Sequence, residues 1–201
     1  MLQKRIIPLL LLSDNKIVKT EKFKNISYVG DPLNILKIFN EKEVDEIMLL
    51  DISKRKKNYN LQKELLKQFA SECFMPISYG GGIDTLEDAE FILNLGFEKI
   101  CLTHTVLSNP KLIQEISNNF GKQSVVVKLD LKKNLFRKLK VYDYLNNKFI
   151  NEDINHFIKK IISLGAGELV INFVDNEGTR TRLYDADLLK IDLDIEIPII
   201  I

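Results

Sequence analysis

Short apolar runs alternate with amphipathic stretches along the whole chain, and this alternation constrains the fold more than any other feature of the sequence. The run from Glu46 to Asp51 is apolar almost without a break, which marks a strand covered on both faces and so a parallel sheet with helical crossovers. Reading on in this way predicts strands over 5–12, 46–51, 76–79, 99–103, 124–130, 168–174 and 197–201. Helices are predicted over 32–40, 60–73, 86–95, 110–119, 153–164 and 186–191, and a polar hairpin-like insert over 132–148. Asp31 stands directly before Pro32, where it can cap the first helix.

Strand–helix alternation with buried parallel strands leaves two architectures, the doubly wound sheet and the closed eight-fold barrel. No glycine fingerprint opens the first helix, since Leu12 is followed by Ser13, Asp14, Asn15 and Lys16, and repeat length tips the balance to the barrel. The expected fold is therefore α/β, a (β/α)8 TIM-type barrel that is incomplete, with about seven strands and its C-terminal part missing after Ile201. It is expected to form one domain over residues 1–201. With 29 Lys plus Arg against 28 Asp plus Glu, the net charge of +1 argues against a large polyanion-binding surface, so no nucleic acid is expected. The apolar run Ile6 to Leu12 is too short for a membrane span and lacks a cleavage site, so the chain reads as cytoplasmic with no membrane contact. Cys73 and Cys101 are expected to stay thiols. Cys101 and His104 have metal-ligand spacing, but no second pair accompanies them, so no metal is expected.

Four predicted strands begin with a charged residue: Arg5, Glu46, Lys99 and Glu168. In a parallel barrel these starts share one rim, and two buried cations and two buried anions there would have to pair with one another. The plainer reading is that strand starts are exposed and tolerate charge. At the opposite strand ends lie Asp51, the Gly80-Gly81-Gly82 turn, His104, Asp130 and the segment Asp175 to Thr179, where a barrel of this kind carries its chemistry. Glycine turns let backbone N–H groups approach an anion such as phosphate, although tight turns need glycine for their own geometry too. The basic run Lys54 to Lys57 is either solvated loop or a lure for an anionic sugar nucleotide.

Taken in order, Lys4-Arg5-Ile6-Ile7, Val18-Lys19, Gly30-Asp31-Pro32, Val44-Asp45-Glu46, Leu50-Asp51-Ile52, Gly80-Gly81-Gly82-Ile83, Asn109-Pro110, Val125-Val126-Val127, Gly165-Ala166-Gly167-Glu168 and Gly178-Thr179 give a definite likeness. The sequence resembles the cyclase subunit of imidazole glycerol phosphate synthase, a histidine-biosynthesis barrel fed with ammonia by a glutaminase partner. The resemblance implies that Arg5, Glu46, Lys99 and Glu168 form the gate through which ammonia enters. It implies a catalytic Asp130, and contacts to a phosphorylated small-molecule substrate from Lys19, Asp51, Gly81, Gly82, Thr103, His104, Glu177, Gly178 and Thr179. No cofactor is implied.

The departures from the family pattern carry equal weight. Ring closure in that family uses two aspartates as general acid and base, and the first of those positions is here Leu11, which cannot transfer a proton. Thr103-His104 stands where the family has Asn-Thr, Glu177 replaces an aspartate, Leu145-Asn146 replaces Ser-Gly, and Lys128 shares the strand face of Asp130. Pro8 with its leucine run, Lys22 to Asn25, and Ser71-Glu72-Cys73-Phe74-Met75-Pro76 are similar to paralogues from surface-polysaccharide clusters. Such barrels are associated with a glutaminase and a sugar amidotransferase. The expected function is therefore receipt of ammonia for amidation of a surface-polysaccharide sugar. The alternative is a genuine cyclase (lyase) of histidine biosynthesis.

Overall fold

The computed structural model describes residues 5–53, 61–181, 191 and 195–201. The basic run Lys54 to Lys57 and almost all of the predicted helix over 186–191 lie outside the described residues. The chain divides into two compact units, the first made of residues 1–19 and 26–101, the second of residues 20–25 and 102–201.

In the first unit, β1 (Leu9–Ser13), β4 (Ile47–Asp51), β5 (Ile77–Gly80) and β6 (Lys99–Leu102) run in parallel. Leu10 is registered with Leu49, Leu49 with Tyr79, and Tyr79 with Ile100. Every residue of β4 is buried, as its unbroken apolar sequence requires of a strand sandwiched on both faces. Helices α1 (Pro32–Glu41), α2 (Lys63–Glu72) and α3 (Leu86–Asn94) supply Leu36, Leu66, Phe69 and Ile92 to the core. Asp31 caps α1 as expected, accepting from the backbone N–H of Asn34 at 3.0 Å with Pro32 in the first turn. Thr85 and Asp88 close a reciprocal capping box on α3.

Two features of this unit correct the sequence reading. The first strand begins at Leu9 rather than Arg5, because Pro8 cannot donate to a ladder and closes off the stretch before it. The segment after it, where the sequence predicts no strand, forms two: β2 (Lys16–Glu21) folds back antiparallel on β1, with Leu12 opposite Ile17, and β3 (Lys24–Gly30) follows. Both connections are two-residue turns with positive φ, Asp14 and Asn15 in one, Lys22 and Phe23 in the other. That is the backbone a hairpin twist demands.

In the second unit, β7 (Val125–Lys133) pairs in parallel with β10 (Glu168–Phe173), and β10 with β11 (Ile199–Ile200). The short α4 (Thr105–Ser108) and α5 (Lys111–Phe120) precede β7 in sequence, and α6 (Ile154–Ser163) lies between β7 and β10, Asp153 capping α6 through the N–H groups of Asn155 and His156. The insert is the hairpin its polar sequence suggests. β8 (Leu139–Asp143) returns antiparallel along the extended end of β7, Leu131 facing Val141, and β9 (Lys148–Phe149) pairs with β8. The described strands therefore exceed the seven expected, the additions being the β2–β3 hairpin and the strands of the insert.

Candidate functional site

In the first unit three of the charges singled out in the sequence pair, although Arg5 lies ahead of β1 rather than at its start. Glu46, just before β4, is 1% exposed, and its Oε2 accepts from Lys99 Nζ at 2.9 Å and from Arg5 Nη1 at 3.3 Å. Its other oxygen, Oε1, is shut off from solvent and meets no hydrogen-bond donor among the described residues. Parallel pairing in register places the starts of β4 and β6 at one end of the sheet, so a short carboxylate and a long ammonium meet there. Glu168 opens β10 in the second unit and is buried.

At the other end of the first unit, Asp51 closes β4 with its carboxylate accepting from the backbone N–H of Ser53 at 2.8 Å. The glycine turn beside it is dictated by close packing. Gly81 has φ +107°, and a Cβ there would stand 2.1 Å from the carbonyl oxygen of Asp51. Gly82 follows with φ +72°. Lys19 is exposed on β2.

The second unit gathers more polar groups. Lys128 and Asp130 sit two apart on β7, both buried, and the ammonium of Lys128 binds Oδ1 of Asp130. Asn172, registered opposite on β10, donates to the same oxygen at 2.8 Å. The Phe23 ring centroid lies 5.5 Å from the Lys128 ammonium. Glu177 holds the turn that carries Phe23: it accepts from Thr20 Oγ1 at 2.7 Å and from the Phe23 N–H at 2.8 Å, while its carbonyl accepts from the Lys22 N–H at 2.9 Å. Gly178 packs so closely on this turn that a Cβ would stand 2.1 Å from the Thr20 carbonyl oxygen. Thr179 turns its hydroxyl to the Asn176 carbonyl at 2.7 Å.

His104 follows β6, after the half-buried Thr103, and its Nδ1 faces Oδ1 of Asp143 at 3.3 Å. Burial pushes the Asp143 carboxyl up, but the Asn146 side-chain amide at 2.7 Å, the Asn146 N–H and the His104 imidazole outweigh it and hold the group below its ordinary value. Sequence reasoning noticed Lys128 beside Asp130 but missed Asn172 as the partner of Asp130 and Asp143 as the partner of His104. Asn172 was legible from strand register alone. Asp143 was not, because it reaches His104 only through the fold of the insert. Among the described residues no three His, Cys, Asp or Glu side chains are grouped to hold a metal ion, and no helix is long and apolar enough to cross a membrane.

These two units define an α/β protein of parallel strands whose ionised side chains collect at the strand ends, the arrangement of metabolic enzymes built on βα repeats. Comparison with known proteins gives the family. Residues 5–201 match the sequence profile of the histidine biosynthesis proteins. A Vibrio vulnificus protein provisionally named imidazole glycerol phosphate synthase subunit hisF3 is 48% identical over 191 residues, which span 94% of this chain and 73% of that protein. A Leptospira borgpetersenii protein provisionally named as a HisF subunit is 43% identical over 94% of this chain and 75% of its own length. The imidazole glycerol phosphate synthase subunit HisF of Exiguobacterium sibiricum is 37% identical over 94% of this chain and 76% of its own. The chain belongs to the histidine biosynthesis family, among the HisF-like cyclase subunits of imidazole glycerol phosphate synthase.

Proposed function

We propose that this chain is the ammonia-receiving subunit of a glutamine-dependent complex, built on a (β/α)8 barrel and acting in the cytoplasm without a cofactor. It takes ammonia from a class I glutaminase and delivers it for amidation of a surface-polysaccharide sugar held by a sugar amidotransferase. The observation that carries this reading is the Glu46 carboxylate, buried between Arg5 and Lys99 with one oxygen that meets no donor among the described residues. Such a group can accept from the N–H of a passing ammonia molecule, while two flanking cations disfavour ammonium. Family resemblance adds Glu168 as the fourth gate residue. Leu11 supports delivery over cyclisation, since a leucine supplies neither acid nor base. Asp130 and the strand-end groups Lys19, Asp51, Gly81, Gly82, Thr103, His104, Glu177, Gly178 and Thr179 then face the phosphorylated acceptor.

The second reading, a working cyclase of histidine biosynthesis, is favoured by the retained Asp130 and by the likeness to HisF of Exiguobacterium sibiricum. One assay separates the two: purified chain with ammonium salt and the cyclase substrate of histidine biosynthesis. The first reading expects no imidazole glycerol phosphate, and sustained turnover would reject it. In the reconstituted complex, Glu46→Gln should lower glutamine-driven amidation while leaving ammonium-driven amidation intact. Equal loss in both would remove the gate.

A further inference from the structure

The strand that carries Asp130 also carries a cation that a purely structural account leaves unexplained. Val126, Val127, Leu129 and Leu131 of β7 are all buried, and Lys128 is buried among them, its side chain 8% exposed. An apolar residue at this position would avoid the cost of desolvating an ammonium, and replacing a buried ion pair by packed hydrocarbon is often neutral or stabilising. Positions 128 and 130 share one strand face, so the ammonium is delivered to the carboxylate by the strand itself. Asn172 donates to the same oxygen from the neighbouring strand, and the Phe23 ring stands beside the ammonium.

We infer that Lys128 is a specificity-determining residue: it keeps the Asp130 carboxylate out of proton transfer and so closes this site to ring formation. The inference rests on the delivery reading above and deepens it. Oδ1 of Asp130 already holds an ammonium and an amide N–H, so a proton taken at that oxygen must displace them, and one taken at the other oxygen would leave the buried ammonium without its counter-charge in a setting where charges are poorly solvated. Loss of the acid at position 11 and neutralisation of the acid at position 130 are then two independent blocks on the same chemistry.

The test is a set of variants of the whole chain, assayed with ammonium salt and the cyclase substrate of histidine biosynthesis: wild type, Lys128→Met, Leu11→Asp, Leu11→Asp with Lys128→Met, and Leu11→Asp with Lys128→Arg. Methionine keeps the length and apolar stem of lysine, whereas arginine keeps its charge, so a packing role would not separate them. General acid–base groups contribute on the order of 100-fold or more to rate. Leu11→Asp with Lys128→Met should therefore exceed both Leu11→Asp alone and the arginine variant by about 100-fold. Equal rates in those three proteins, including no turnover in any, would overturn the inference while leaving a silent wild type in keeping with delivery. A wild type that turns over, and that Lys128→Met accelerates, would reject delivery alone and keep the role of Lys128. Lys128→Gln serves as the second neutral variant if the methionine protein does not fold.

Discussion

Removing Glu46 should expose how the charges at the strand starts share their energy. Its bond from Lys99 is 2.9 Å long between side chains 12% and 2% exposed, so it is a desolvated, charge-assisted contact of about 1.5–3 kcal/mol. Its contact with Arg5 is 3.3 Å long, and the arginine side chain is 43% exposed, so screening by water leaves about 0–1 kcal/mol there. A double-mutant cycle of Glu46→Gln with Lys99→Met should give a coupling of about 2 kcal/mol, and the same cycle with Arg5→Met about 0.5 kcal/mol. Urea unfolding at neutral pH measures both, and Glu46→Gln alone should lower Tm by roughly 4–8 °C in a chain of this size. Raising the salt should shrink the Arg5 coupling and leave the Lys99 coupling nearly intact. A Lys99 coupling below about 0.5 kcal/mol, or one smaller than that of Arg5, would refute the claim that burial decides which cation matters.

Three further outcomes follow from particular contacts. Gly81→Ala should cost at least about 2 kcal/mol, because the residue has φ +107° and its new Cβ would collide with the Asp51 carbonyl; a loss under about 0.5 kcal/mol in urea unfolding would contradict this packing. Glu177→Gln cannot accept from both Thr20 and the Phe23 N–H as the carboxylate does, so amide exchange at Phe23 should quicken while the core of β7 is unchanged, and uniform protection would argue against the clamp. Asp143 is held below its ordinary value in the folded state, so the stabilisation it gives is fully present above the unfolded carboxyl value near 4 and is lost as pH falls through the folded value. The stability gap between the native chain and Asp143→Asn should thus close as pH falls below the unfolded carboxyl value near 4, and a gap that keeps widening there would reverse the sign of the argument.

The parallel strands were legible because burial on both faces leaves an unmistakable run of apolar side chains, as in β4, where all five residues are buried. The β2–β3 hairpin was not, and the reason lies in its turns. Lys22 and Phe23 adopt positive φ without the Asn-Gly or Asp-Gly signature, and Glu177, distant in sequence, supplies the hydrogen bonds that hold them. Asp14 and Asn15 did offer a clue, since both types tolerate the left-handed region. The pairing of Arg5, Glu46 and Lys99 could be argued from charge at the expected strand starts plus the cost of leaving it unpaired, and the coordinates bring those three together. His104 and Asp143 could not be paired in advance, because periodicity within a strand says nothing of how an insert folds over its neighbours.

The two buried carboxylates are held by the same device, two donors on one oxygen. Glu46 gives a single oxygen to two cations and keeps the other without a donor among the described residues, whereas Asp130 Oδ1 already holds an ammonium and an amide. In each case one oxygen takes both donors; what differs is the company, two cations at Glu46 and one cation with an amide at Asp130. Neither cluster is needed for stability in the way a packed leucine is, since well-packed hydrocarbon in place of a buried pair is often as stable or more so. A chain carrying Glu46→Leu together with Lys99→Met should therefore fold with little or no loss. Failure of glutamine-driven amidation in that folded protein would then be a failure of ammonia transfer, because folding would have been taken out of the comparison.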